Sequence, residues 1–374
     1  MINTMEKHIW SHFFEDQNIR FPEQPKLIDG ISVYDAPYGL GLQFRGGPDK
    51  LVLRGKSSSA LFSSLSHLLD GKNTLASIFD VTRPDFDINE VATMLKILHS
   101  YNLLADGLHY DVQATPAETD PWKLQKDYYK RVIGKTAYNK SATSVVSSID
   151  NAKVLLIASE NLAPVFVYNL KLAGFKHIGL NYIRTEGGVT LPSSESEADL
   201  MTYTDITDLN EPGLRNELAK RIDDYHYVLV GLENPSINFV QQLNEFCKIK
   251  NKKVLFVLSK DNHFEIGPYF VPNSTACYNC SILRQNSYKE DAIFDKVHSQ
   301  HLHDTEQKVD TAIKGVDLVS ASAAVGYAVS ELSKIVSKLS KPNLINRVVD
   351  YDFLNGTIDN IHLMPVPGCP VCSN

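Results

Sequence analysis

Four of the five cysteines stand in two Cys-x-x-Cys pairs, Cys277-Tyr-Asn-Cys280 and Cys369-Pro-Val-Cys372, while Cys247 stands alone. A loop of this spacing aims two sulfurs at one point, and two such loops close a tetrahedral shell around a zinc ion. Four thiolates leave no coordination position for water, so a zinc held this way is structural. The competing readings are a redox Cys-x-x-Cys and four unrelated thiols. Zinc is the expectation. It would tie the C-terminal segment to one far upstream, and such sites contribute on the order of 10 kcal/mol to folding. Cys247 falls on an expected helix with Phe246 and Ile249 and reads as a buried, inert thiol.

Other reactive side chains are less organised. His298, His301, His303 and Asp304 cluster without the spacing of a helical metal site, and read as an exposed polar loop. Glu233-Asn234-Pro235 follows an apolar strand, and turn chemistry accounts for it. The strand Val154–Ala158 runs into Ser-Glu-Asn-Leu-Ala-Pro164, a turn without the glycines that let backbone amides approach a phosphate. Glu160 would put a carboxylate there, and Pro164 removes a donor. The next strand ends at Arg184 and lacks the acidic residue expected to hold a ribose. No ATP or NAD is expected at this turn, and no catalytic triad stands out.

The elements that must position these residues fall into two patterns. Between residues 24 and 107, strands are expected at Ile31–Tyr34, Gly39–Arg45 and Lys50–Arg54, with Leu40, Leu42 and Phe44 facing one way. Serines 57–59 offer a cap to a helix carrying Leu61, Leu65, Leu68 and Leu69, with Gly71 placed to end it. Thr74 caps a short helix over Leu75–Phe79, and Asp87 a longer one with Ile88, Val91, Leu95 and Leu98 on one stripe. Three strands and three helices in this span make a winged-helix-like pattern. Its third helix has little positive charge, which disfavours a DNA recognition helix. Residues 1–23 read as an N-terminal helical extension and 108–150 as a connector. From residue 151 the pattern is alternating α/β, with strands at Val154–Ala158, His177–Tyr182, Tyr227–Gly231 and Val254–Leu258. Helices are expected at Ala163–Leu172, with Gly174 as its C-cap, at Ile237–Ile249 and between Val316 and Leu339, the last rich in small residues. This implies a mainly parallel sheet. Asn346–Phe353 and Thr357–Leu363 form a hairpin around Asn355-Gly356, a pair suited to a type I′ turn.

The 374 residues are 43% hydrophobic and 22% charged, with a formal charge of −7. This provides cores for two or three domains and excludes disorder as the main state. It also disfavours duplex binding, which needs concentrated Lys and Arg. No apolar run approaches the ~18 residues of a membrane span, and the polar N-terminus is no secretory signal. A cytoplasmic protein with neither nucleic acid nor membrane as partner is expected.

The run from Glu265 through Cys277-Tyr-Asn-Cys280 to Ser-Ile-Leu-Arg284, with the closing Pro367-Gly-Cys-Pro-Val-Cys372, resembles the zinc knuckles of a known family. These are the ThiF-like proteins, related to ubiquitin-activating enzymes, that serve azole-forming peptide pathways: cyclodehydratase C-proteins and leader-peptide-binding proteins. Leu51-Val-Leu-Arg-Gly55, Leu-Leu-Asp-Gly71, Thr74-Leu and Leu103-Leu104 are similar to that family's peptide-recognition winged helix. The resemblance implies a winged-helix domain (24–107), a connector (108–150) and a ThiF-like, Rossmann-type domain (151–374) holding structural zinc. It implies a non-adenylating scaffold that binds the leader of a ribosomal precursor peptide and presents its core to a separate YcaO-type cyclodehydratase. An active adenylating enzyme is the alternative, and a homodimer remains an option. Transferred by position, the leader would add beside Lys50, Leu51, Val52, Leu53 and Arg54. It would pack on the third helix at Met94, Leu95, Leu98 and Tyr101, with core packing as the competing reading of that stripe. Lys50 and Arg54 could meet acidic leader residues.

Overall fold

The computed structural model describes residues 21–108, 123–135, 141–183, 218–260, 262–288 and 315–373, with single helical positions at 293, 297, 300, 301 and 304. Residues 1–20 of the expected N-terminal extension, the linker over 114–121, Arg184, His298 and His303 lie outside the described residues. The chain divides into two compact units, residues 1–147 with 337–340 and residues 148–336 with 341–374.

In the first unit, β1 (Pro25–Leu27) pairs antiparallel with β5 (Leu104–Asp106). A separate antiparallel sheet has the order β2 (Ser32–Ala36), β3 (Gly41–Arg45), β4 (Leu51–Arg54). Helices α1 (Lys56–Ser66), α2 (Leu75–Thr82) and α3 (Ile88–Ser100) follow β4. Alternation puts Leu42, Phe44, Leu51 and Leu53 on the buried face of the sheet. The Thr74 hydroxyl accepts from the Ser77 amide and the Asp87 carboxylate from the Asn89 amide, so both expected caps form.

Three details differ from expectation. Leu40 is 64% exposed, because a 3₁₀ turn at Pro37–Gly39 delays the strand until Gly41. Helix α1 begins at Lys56, so the serines sit inside its first turn and Gly55 takes the cap position. Gly71 lies beyond the end of α1; its left-handed φ of +82 and the Gly107 backbone, which a Cβ would meet at 2.8 Å, both require glycine. Helices α4 (Lys123–Val132) and α5 (Ala142–Asp150) fall within the expected connector.

The second unit holds a seven-stranded sheet. In chain order it contains β6 (Lys153–Ser159), β7 (His177–Ile183), β8 (Tyr227–Glu233), β9 (Lys253–Lys260), β10 (His263–Phe270), β11 (Arg347–Asp352) and β12 (Thr357–His362). The spatial order is β12-β11-β10-β9-β8-β6-β7. Four strands, β7-β6-β8-β9, are parallel, and β10, β11 and β12 continue antiparallel. The sheet is therefore mixed, where the alternating pattern suggested a mainly parallel one. β10 escapes the pattern because Gly267-Pro268 interrupts its apolar run, and the ladder to β9 shifts register there.

Helix α6 (Ala163–Ala173) packs close to the sheet, since a Cβ on Gly231 of β8 would lie 2.1 Å from the Phe166 ring. Gly174 ends α6 with φ +101, the left-handed cap expected of it. Helices α7 (Ile237–Ile249), α8 (Tyr278–Tyr288) and α9 (Leu318–Ser337) lie in the same part of the chain. Asp352 pairs with Thr357, so four residues join β11 to β12 and the two-residue type I′ turn does not form. Instead the Asp352 carboxylate accepts from the amides of Leu354 and Asn355 and from the Asn355 side chain. No helix among the described residues is long and apolar enough to cross a membrane.

Candidate functional site

The cysteine pairs, distant in sequence, converge in the second unit. Cys277 immediately precedes α8 and Cys280 occupies its first turn, so one helix start presents two sulfurs. Asn244 of α7 fixes that start: its side-chain oxygen accepts from the Tyr278 amide at 3.3 Å, and its nitrogen donates to Asn279. Gly368, at φ +76, turns the chain just before Cys369, and the Cys369 amide closes a turn on the Val366 carbonyl. Lys248 of α7 donates to the Val371 carbonyl and holds the second loop from outside.

All four sulfurs lie within 4.8 Å of one another. Cys277 Sγ is 3.8 Å from Cys280 Sγ and 3.7 Å from Cys369 Sγ, and Cys280 Sγ is 3.2 Å from Cys372 Sγ. A tetrahedron with metal–sulfur bonds of ~2.3 Å has edges of about 3.8 Å, so the cluster can hold a metal ion with little adjustment. The Val366 amide donates to Cys280 Sγ at 3.3 Å, the outer-shell contact that steadies a thiolate. Cys277, Cys280 and Cys369 belong to one apolar cluster with Phe239, Phe256 and Val348. Burial pushes the Cys277 thiol up, and Cys372 up to about 12. It acts on Cys369 too, but bonds from the amides of Cys372 and Val371 outweigh it and bring that thiol below its usual range. A cation in the centre replaces the protons that burial otherwise retains. Cys247 lies apart, fully buried, with its thiol raised to about 12 by burial, as suits an inert residue.

In the first unit, β4 ends its sheet, so its outer edge pairs with no strand among the described residues. Lys50 and Arg54 are exposed, Val52 is 48% exposed, and Leu51 and Leu53 face the core. Met94, Leu95 and Leu98 of the α3 stripe are buried, in keeping with the core-packing reading of that stripe. They are core because α3 packs on α2, while α1 packs on β3 of the sheet. Tyr101, which ends α3, is 38% exposed.

At the C-terminal ends of the parallel strands, Ser159 of β6 accepts the Glu233 amide of β8 at 3.0 Å. Asn161 donates to Glu233 Oε2 at 3.1 Å, while Oε1 is buried without a hydrogen-bond partner among the described residues. Burial raises the Glu233 carboxyl and the Asn161 bond partly opposes this. Sequence reasoning treated Glu233 as turn chemistry. Its place after an apolar strand marks it in the sequence as site-prone, and only the structure shows that its carboxylate is buried. His301 and Asp304 of the histidine cluster are exposed helical positions.

No family model matches the chain, and no curated protein matches it. Solved structures do. E. coli MccB matches with a TM-score of 0.68 and 15% identity over 94% of this chain and 97% of that one. The chain shares the fold of MccB. E. coli MccB with ATP gives 0.65 and 14%, covering 94% of this chain and 99% of that one. A heterocyclase in complex with substrate and cofactor gives 0.52 and 13%, over 93% of this chain and 39% of the other. At these identities the likeness concerns architecture, and the functional reading rests on this chain's own residues.

Proposed function

We propose that this protein is a zinc-stabilised, ThiF-like scaffold of ribosomal peptide maturation. Its first unit, read as a winged helix, captures a precursor's leader, and a separate YcaO-type cyclodehydratase modifies the core. The observation that carries this is the open edge of β4. A strand edge with unpaired amides and carbonyls takes an extended peptide by main-chain hydrogen bonds. The neighbouring folds support the theme, since MccB has been solved with MccA and another match is a heterocyclase with its substrate. Cys277, Cys280, Cys369 and Cys372 would hold the zinc, which supplies cross-linking of the C-terminal loop to α8 and no chemistry. The glycine-free turn between β6 and α6 fits a chain that does not cradle phosphates.

A second reading, an adenylating enzyme, draws on two observations: MccB has been solved with ATP, and Glu233 is buried at the strand ends with one oxygen unpartnered. The readings separate in one experiment. The purified chain is mixed with the leader of a short precursor encoded beside its gene, then with full-length precursor and ATP. The scaffold predicts submicromolar leader binding, lost in Arg54→Pro, and no ATP–pyrophosphate exchange. Exchange by the chain alone would overturn the scaffold in favour of the enzyme.

A further inference from the structure

The register of the small sheet separates its two faces. Leu42 pairs with Leu53 and Phe44 with Leu51 on the buried face, and Tyr34, Gln43 and Val52 form a cross-strand row on the outer face. The same alternation puts Arg45 and Arg54 on the outer face, with Ser32, Ala36 and Gly41. Lys50 precedes Val52 by two residues. The outer face thus carries two arginines and no carboxylate, with Lys50 beside it, and among the described residues no ion pair engages Lys50, Arg45 or Arg54. On the other face of β4, Leu51 and Leu53 are buried.

We infer that a peptide added to β4 is read on this outer face, and that it carries an apolar residue flanked at two-residue spacing by acidic ones. The inference rests on the strand addition proposed above. In an added strand, the residue opposite Val52 and those two positions either side project to the same face. They therefore lie opposite Lys50, Val52 and Arg54. Directly opposed apolar pairs and opposite charges are the stabilising cross-strand contacts. The acidic-x-apolar-x-acidic pattern reads the same in both directions, so it holds whichever way the peptide runs.

The test uses a fluorescein-labelled synthetic peptide centred on Glu-Thr-Leu-Thr-Glu, with a twin carrying Lys for both Glu, and fluorescence anisotropy on the full chain. The acidic probe should bind at least tenfold tighter than its twin. The K50E/R54E variant should reverse the preference while keeping the wild-type circular dichroism and melting curve. A preference unchanged in that variant, or no binding of either probe, overturns the inference. Alternate N-methylation of the acidic probe should abolish binding, because it removes main-chain donors without touching the protein. If N-methylation costs nothing, strand addition itself is wrong. If binding is N-methyl-sensitive but indifferent to probe charge, strand addition stands and only the outer-face inference fails.

Discussion

In the cysteine cluster, donors from two distant loops point inward at one centre inside an apolar core. Along β4, by contrast, the groups with binding capacity stay at the surface, on a strand whose other face is core. The first arrangement spends its chemistry on holding the chain together. The second leaves the outer edge of a strand without a partner strand among the described residues. A residue's neighbours in space, more than its type, decide which of these roles it has: Leu51 and Val52 are adjacent in sequence, yet one is core and the other is surface.

The largest effect should follow from opening the cluster. Cys280→Ser should bring metal content, measured by mass spectrometry, well below one ion per chain. It should also loosen the second unit, with a loss of several kcal/mol against the order of 10 kcal/mol such sites contribute. Next comes the contrast within the first unit. Leu95→Ala should cost about 2–5 kcal/mol in urea unfolding. Val52→Ala should cost under about 1 kcal/mol while weakening the acidic probe. Equal costs would erase the distinction between the buried α3 stripe and the exposed strand. Thr74→Ala, which removes the cap of α2, should cost about 1 kcal/mol in the same assay.

The smallest effect concerns Glu233. Its carboxyl is raised in the folded state by burial, so the neutral form is favoured there. Its contribution to stability is full below the unfolded pKa and is lost as pH rises through the folded one. Glu233→Gln, which keeps an acceptor for Asn161, should therefore be more stable than wild type near neutrality, with the difference vanishing in acid. Urea unfolding from pH 4 to 8 reads this directly, and no difference at neutral pH would count against desolvation as the cause.

Much was legible without coordinates where the signal is local. Thr74 and Asp87 cap their helices and Gly174 ends α6, because caps depend on residues a turn away. Strands β6, β8 and β9 show in the sequence as apolar runs, the mark of strands covered on both faces. Elements governed by distant partners were less visible. β10 contains Gly267-Pro268 and owes its place to β9 and β11, and the Asn355-Gly356 turn lengthened because Asp352 captured nearby amides.

The cysteine spacing by itself determined that two Cys-x-x-Cys pairs exist and made metal binding the expectation over redox chemistry, since ligand geometry is written into a three-residue step. Only the tertiary structure decided that the pairs meet, because their convergence depends on α7 and the turn at Gly368. The same holds for β4. Its alternation could be read from Leu51-Val-Leu-Arg54, but which face is core and which edge stays open follows from β3 pairing on one side and the helices closing over one face.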